Sequence, residues 1–363
     1  MKICIAVSLY DISGVPLAQL RFAQALANKG YEVDLVIGHI DPQYDFPELA
    51  GVTVRELERR HVRGMLLPLW RYLRSDRPDV VFSAEDHLNA VVLLAAIIAG
   101  SQAKISGSSR VTPFDTYSNV PFTKRWVLKQ FMRAVMWRAD ALTCVSKDMV
   151  DQYRRVFDTP PHVCVYNIVD DKLSRLRMQE AVEHGWLIHK QEPVLIAAGS
   201  LAPWKGFADL IHAMKELSRS RRARLIILGD GPLRIELEAL IAELDLTNLV
   251  DLPGYVGNPL KYFARADVFV LSSHVEGLPN VLVEAMMCGC TPVSTDCPTG
   301  PREILQDGKY GYLVPMQDPI ALAAGIEQAL IKPIPKDRLA EAVQPFDEET
   351  VIKRHLEILG LTR

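Results

Sequence analysis

Two glutamates eight residues apart, Glu276 and Glu284, bracket the run EGLPNVLVEAMMCG at 276–289. Glu284 stands in apolar company, with Val281, Leu282 and Val283 before it and Ala285, Met286 and Met287 after it. A carboxylate drawn out of water loses several kcal/mol unless donors or a cation meet it, so Glu284 needs a partner. The run before it, VFVLSS (268–273), reads as a strand, and Pro279 suits the first turn of a helix. Such a start presents backbone amides along Gly277, Leu278, Pro279 and Asn280 with the positive end of the helix dipole behind them, a place for an anion. Glu276 at the strand end and Glu284 one turn into the helix then face one ligand. The plainer reading is an acidic helix start plus a half-buried glutamate held by a neighbouring base.

A second loop, GSLAPWKGF (199–207), joins the strand VLIAAG to the helix FADLIHAMKEL. Lys205 is a point charge there, beside Gly206, whose backbone permits close approach, and the pair suits phosphate oxygens. The alternative is a solvated loop lysine. A third loop, GDGPLRIEL (229–237), follows a strand, but it lacks the third glycine of a dinucleotide fingerprint and Pro232 opens its helix. Gly229 therefore reads as a tight turn lining a nucleotide pocket, and a nicotinamide-dependent oxidoreductase is disfavoured in both halves. No D-x-D occurs, so no metal clamp for a diphosphate is expected. Cys288, Cys290 and Cys297 have no second ligand group at zinc spacing, which points to reduced thiols without metal.

The elements that must hold these loops alternate between short strands and longer amphipathic helices. KICIAVSL (2–9), EVDLVIG (32–38), DVVFSA (79–84), KISGSS (104–109), ALTCVS (141–146) and HVCVYN (162–167) read as buried strands. The pattern lapses into a polar stretch near 170–192. It restarts with VLIAAGS (194–200), RLIILGD (224–230), LVDLPGY (249–255), VFVLSS (268–273) and TPVSTD (291–296). The order βαβα implies an α/β fold with two doubly wound, Rossmann-like domains, 1–172 and 190–345, facing a central cleft. The amphipathic tail 346–363 is expected to pack back on the first.

At 363 residues the chain is too long for one core. A net charge of −3 argues against a nucleic-acid partner, although residues 1–180 carry 23 Lys/Arg against 20 Asp/Glu. The start MKICIAVSLYD has an acid where a signal peptide would stay apolar, which points to the cytoplasm. The apolar run LNAVVLLAAIIAG (88–100) is shorter than the ~20 residues of a membrane span and reads as a buried helix.

Together, "SS.VEGLPNVLVEAM" with its E-x7-E, "GSL.P.KGF" and "TDCPTGPREIL" resemble glycosyltransferase family 4, retaining enzymes of the GT-B architecture that use nucleotide sugars. ADALTCVSKDMVDQY and VYNIVD extend the resemblance over nearly the whole chain. It implies that Glu284 takes hydrogen bonds from the ribose and that Glu276 approaches the donor sugar. Lys205 and the amides of Gly277 to Asn280 would neutralise the diphosphate, and Gly254 and Tyr255 would face the base. It also implies a UDP-sugar as co-substrate and a hexose or N-acetylhexosamine for bacterial surface polysaccharide. Where the family has an arginine, this chain has Ser200. Either Lys205 and the helix end suffice, or Arg110 or Arg302 compensates. A catalytically inactive sugar-nucleotide-binding protein is the alternative that Ser200 keeps open.

In the amino-terminal half, DISGVPLAQL (11–20) lies where the family often has a Gly-Gly pair near acceptor and phosphates, and only Gly14 is present. His87, after the strand DVVFSA, matches a family histidine that contacts sugar or acceptor, or else is structural. Glu85 and Asp86 beside it bind acceptor or are solvated. FTKRWVLKQFMRAVMWR (122–138) has five basic residues and no acid, with Arg125, Lys129 and Arg133 as a stripe opposed by Trp126, Val127, Phe131, Val135 and Trp137. This is the composition of a helix on an anionic membrane near a lipid-linked acceptor, or of an ordinary domain helix with a wet basic side.

Overall fold

A computed structural model describes residues 1–157 and 162–362; Arg363, the end of the expected 346–363 tail, lies outside the described residues. The chain divides into two compact units, Met1–Ile168 with the residues from Glu348 on, and Val169–Asp347. The first boundary thus falls four residues before the expected 172. The polar stretch near 170–192 belongs to the second unit and carries short helices at Lys172–Arg177 and Gly185–Ile188.

The first unit holds strands β1 (Lys2–Val7), β2 (Glu32–Ile37), β3 (Val52–Glu56), β4 (Val80–Ala84), β5 (Lys104–Ser109), β6 (Ala141–Cys144) and β7 (Val163–Cys164). They form one parallel sheet in the order β3-β2-β1-β4-β5-β6-β7. β1, β2 and β4 are buried on both faces, which is why they read as unbroken apolar runs. β3, unforeseen from the sequence, is an outer strand whose Thr53, Val54, Arg55 and Glu56 are exposed, so no apolar run marks it. Helix α1 (Gly14–Asn28) ends as its sequence suggests. Gly30 takes a left-handed φ of 83°, its amide meets Ala27 O, and the Tyr31 amide reaches back to Leu26 O at 3.3 Å, the paired bonds of a Schellman motif. Helix α2 (Asp86–Ala99) is the expected buried helix. Among the described residues no helix is long and apolar enough to cross a membrane. The tail helix Glu348–Ile358 returns to this unit, where Val351, Ile352 and Leu356 join Phe22, Leu26 and Phe82 in the core.

The second unit holds β8 (Val194–Ala198), β9 (Arg224–Leu228), β10 (Val250–Gly254), β11 (Val268–Leu271), β12 (Thr291–Thr295) and β13 (Tyr312–Val314). Their order is β10-β9-β8-β11-β12-β13, again parallel. The three-residue β13 is too short to have been read from its sequence. In each sheet the strand order reverses once, between β1 and β4 and between β8 and β11. At such a switch point neighbouring loops part and leave a crevice beyond the carboxyl ends of the strands.

Candidate functional site

The two loops that leave the second switch point carry the residues singled out above. After β8 the chain passes Ser200, a short turn at Pro203–Lys205, and the helix Phe207–Leu217. After β11 it passes Ser272 to Pro279 and enters the helix Asn280–Met287. Lys205 Nζ and Glu276 Oε1 meet at 2.7 Å, with side chains only 18% and 10% exposed. Ser273 Oγ donates to the same Glu276 oxygen at 2.6 Å. The loops are locked together behind this pair. Ser272 Oγ donates to Lys205 O at 2.8 Å, and the His274 amide donates to Trp204 O at 2.8 Å. Gly206 has φ of 62°, and a Cβ there would lie 2.1 Å from Ser272 O, so only glycine lets the two backbones approach.

A third loop, after β12, closes on the backbone of the same glutamate. Thr299, at a left-handed φ of 64°, donates its hydroxyl to the Glu276 carbonyl. Gly300 packs so tightly that a Cβ would stand 2.6 Å from Pro279 Cδ. Ser273, Thr299 and the His274–Asp209 pair at 2.7 Å escaped the sequence reading. Hydroxyls and imidazoles in loops carry no periodic signal, and only the positive φ of Thr299 betrays its strain.

The expected amide cradle is narrower than Gly277 to Asn280. Pro279 has no N–H, and the Asn280 amide donates to Leu278 O at 2.9 Å. That leaves Gly277 and Leu278 as the candidate anion donors of the stretch. Helix Asn280–Met287 buries Leu282, Val283, Ala285 and Met286, while Glu284 is half-buried between them. Its charge adds to the burial that pushes the Cys288 thiol up to about 12. All six cysteines are free, and among the described residues no three His, Cys, Asp or Glu side chains cluster as metal ligands would.

The third and fourth strand ends interlock with the first loop. The Gly229 amide donates to Gly254 O at 2.8 Å, and a Cβ on Gly229 would be 1.9 Å from Gly199 O. Gly254 has φ of 95°, and Tyr255 beyond it is 55% exposed, a free aromatic face. Helix Arg234–Glu243 begins two residues after Pro232, which sits in the preceding turn instead of opening the helix. Ser200 is exposed and brings no cation. Arg302 does not replace one here, because Asp296 and Asp307 hold its guanidinium.

In the first unit the switch-point loops are bridged in the same manner. Ser8, after β1, donates its hydroxyl to Glu85, after β4. Glu85 has φ of 77°, a conformation that costs about 1–3 kcal/mol and persists where the surroundings impose it. Asp86 is not solvated. It is 2% exposed, accepts from Ser109 and Tyr153, and burial holds its carboxyl above the usual range despite those bonds. His87 is exposed on the first turn of α2. Gly14 opens α1 with nothing within 4 Å of a would-be Cβ, so packing within the unit does not explain a glycine there.

The helix expected at 122–138 runs over Lys124–Val135 and turns a different face outward from the one its charges suggested. Lys129 is 6% exposed and donates to Asn119 Oδ1 at 2.7 Å, so the basic stripe is broken at its centre. Val127 and Trp137, on the apolar side opposed to that stripe, are 54% and 68% exposed, and Phe122 is 89% exposed.

Two parallel Rossmann-like units in one chain are the layout of the GT-B architecture. Structures of that class match the whole chain: the apo lipopolysaccharide outer core galactosyltransferase WaaB at TM-score 0.75 and 16% identity over 99% of both chains, and HepE of Anabaena in complex with UDP and glucose at 0.72 and 21% over all of both. At these identities the likeness is one of fold. Residues 13–167 match the glycosyl transferase 4-like domain and residues 178–345 the glycosyl transferases group 1 profile. Over 288 residues, 77% of this chain and 76% of the other, it is 29% identical to the N-acetylgalactosamine-N,N'-diacetylbacillosaminyl-diphospho-undecaprenol 4-alpha-N-acetylgalactosaminyltransferase of Campylobacter jejuni. The chain belongs to glycosyltransferase family 4.

Proposed function

We propose that this protein transfers a hexose or N-acetylhexosamine from a UDP-sugar, with retention at the anomeric carbon, to a lipid-linked or growing polysaccharide acceptor in cell-envelope glycan synthesis. The observation that carries this reading is the Lys205–Glu276 pair at the switch point of the second sheet, where nucleotide ligands sit in such folds. UDP and glucose in HepE support the donor class, and the undecaprenyl diphosphate in the name of the Campylobacter jejuni relative supports the acceptor class.

A diphosphate entering beside Lys205 competes with Glu276 for the ammonium. Once Lys205 turns to the phosphates, the Glu276 carboxylate is free to take sugar hydroxyls and to favour positive charge at the anomeric carbon. Gly277 and Leu278 share the phosphate charge, Glu284 takes the ribose hydroxyls, and Tyr255 with Gly254 flanks the base. Stabilising the leaving phosphate supplies much of the barrier reduction. The acceptor oxygen attacks from the face the nucleotide leaves, and a phosphate oxygen of the departing UDP takes its proton. His87, Gly14 and Glu85 serve the acceptor side. No divalent metal takes part, and the protein works from the cytoplasm against the membrane that bears the acceptor.

The exposed Ser200, with Arg302 already held, favours one alternative, a sugar-nucleotide-binding protein with little or no transfer. A panel of nucleotide sugars assayed for slow hydrolysis in EDTA separates the two. Release of UDP from at least one donor is expected. Binding without release from every donor supports the alternative, and activity restored only by manganese contradicts the metal-free reading.

A further inference from the structure

We propose that the first unit carries an oxyanion pocket built around Arg110, and that its ligand is a phosphate or diphosphate group. Arg110 follows β5 and lines a small, partly open hollow together with Gln19, Ser106, Ser108, Asn167 and His355. Its guanidinium donates through Nη1 to the neutral Asn167 amide, while its Nε is shut off from solvent and has no partner. Ser106 Oγ and His355 Nδ1 are likewise buried without partners, on residues only 1% and 8% exposed. Three unspent polar groups thus converge on one hollow, and none of its described lining residues is acidic. Glu85, whose charge reaches Arg110, is engaged by Ser8.

A guanidinium drawn out of water against a neutral amide is left short of negative charge, and an anion in the hollow would supply it. Burial already pulls the Arg110 pKa down to about 10, against the charge of Glu85, which raises it. Burial and the charge of Arg110 keep His355 neutral, with its pKa near 3, so the imidazole can donate one N–H without adding charge. Donors of four kinds, guanidinium, amide, hydroxyl and imidazole, suit an anion with several acceptor oxygens better than a planar carboxylate. The group could belong to the donor nucleotide or to a lipid-linked acceptor, and phosphate oxyanion is the shared chemistry.

The test is thermal unfolding with inorganic pyrophosphate against sodium chloride of equal ionic strength, in a Lys205→Ala background that silences the lysine of the second unit. A rise of several degrees is expected at ~100-fold over Kd, by linkage. Arg110→Gln should abolish the rise, and Ser106→Ala, which removes one unpartnered hydroxyl, should reduce it. No rise in the parent, or an equal rise in Ser106→Ala and Arg110→Gln, overturns the site. If Arg110→Gln does not fold, an undiminished rise in Ser106→Ala alone does so. Steady-state donor hydrolysis assigns the source. A donor KM raised about tenfold by Arg110→Gln marks the nucleotide diphosphate, and an unchanged donor KM beside a lost pyrophosphate response marks the acceptor. Pyrophosphate binding needs no turnover, so it can fail while donor hydrolysis stands, and the reverse.

Discussion

At the scale of single residues, the candidate site rests on a lysine and a glutamate that hold each other at 2.7 Å. Lys205 and Glu276 are too enclosed for the pair to be an ordinary surface contact worth a few tenths of a kcal/mol. Lys205→Ala should lower donor turnover by about 10²–10³, the loss seen when one stabilising contact to a developing anion is removed. Lys205→Arg should recover part of it, and turnover within a factor of two of the parent in Lys205→Ala would show that the lysine is structural. Both loops could be read from the sequence as strand-to-helix connections, each with a charge beside a glycine. Their mutual contact could not, since nothing in a sequence reports a distance across 71 positions. The arginine missing at Ser200 was equally visible, whereas Arg302 looked available until Asp296 and Asp307 were seen to hold it.

At the scale of elements, periodicity read well wherever burial was two-sided and poorly at edges. β1, β2, β8 and β11 announced themselves, while β3 and β13 did not, because an exposed or three-residue strand has no apolar signature. The helix Lys124–Val135 was only partly legible. Its charges suggested a wet basic stripe, but Lys129 turns inward to Asn119 while Phe122, Val127 and Trp137 face solvent. Apolar side chains outward, with exposed Lys124, Arg125 and Arg133 among them, suit the boundary between lipid headgroups and acyl chains better than the stripe did. The protein should therefore pellet with vesicles containing anionic lipid at low salt. Phe122→Ser with Trp137→Ser should weaken that binding about tenfold, as loss of two buried aromatic anchors implies. Equal pelleting with neutral vesicles, or none at all, would remove the membrane from the account.

At the scale of the whole chain, two sheets with the same reversal of strand order repeat one plan, and in each a carboxylate bridges the switch-point loops. The alternation of strands and helices was enough to expect two such domains. The exact division at 168 and 169 was not, because the polar segment that follows looks like a linker yet forms helices. Two buried histidines of the first unit predict a loss of stability in acid. Burial lowers His162 to about 4, and burial with the charge of Arg110 lowers His355 to about 3, against ~6.5 when unfolded. A depressed pKa means that stability is complete above the unfolded value and is lost as pH falls toward the folded one. Each histidine then withdraws up to about 1.4 kcal/mol per pH unit below pH ~6.5. Asp76 and Asp140, held below the carboxylate range by hydrogen bonds and neighbouring cations despite burial, add their losses only under pH ~4. The urea midpoint should fall between about pH 6.5 and pH 5, and a flat midpoint over that window would mean these imidazoles are hydrated.

The central claim is that one glutamate serves the reacting sugar and the other the nucleotide. Steady-state donor hydrolysis by Glu276→Ala and Glu284→Ala tests it most directly. Glu276→Ala should lose turnover, by about 10² or more, with donor KM little changed, and Glu284→Ala should raise donor KM about tenfold with turnover largely kept. Unchanged kinetics in both variants, or the same loss of turnover in each, would contradict it.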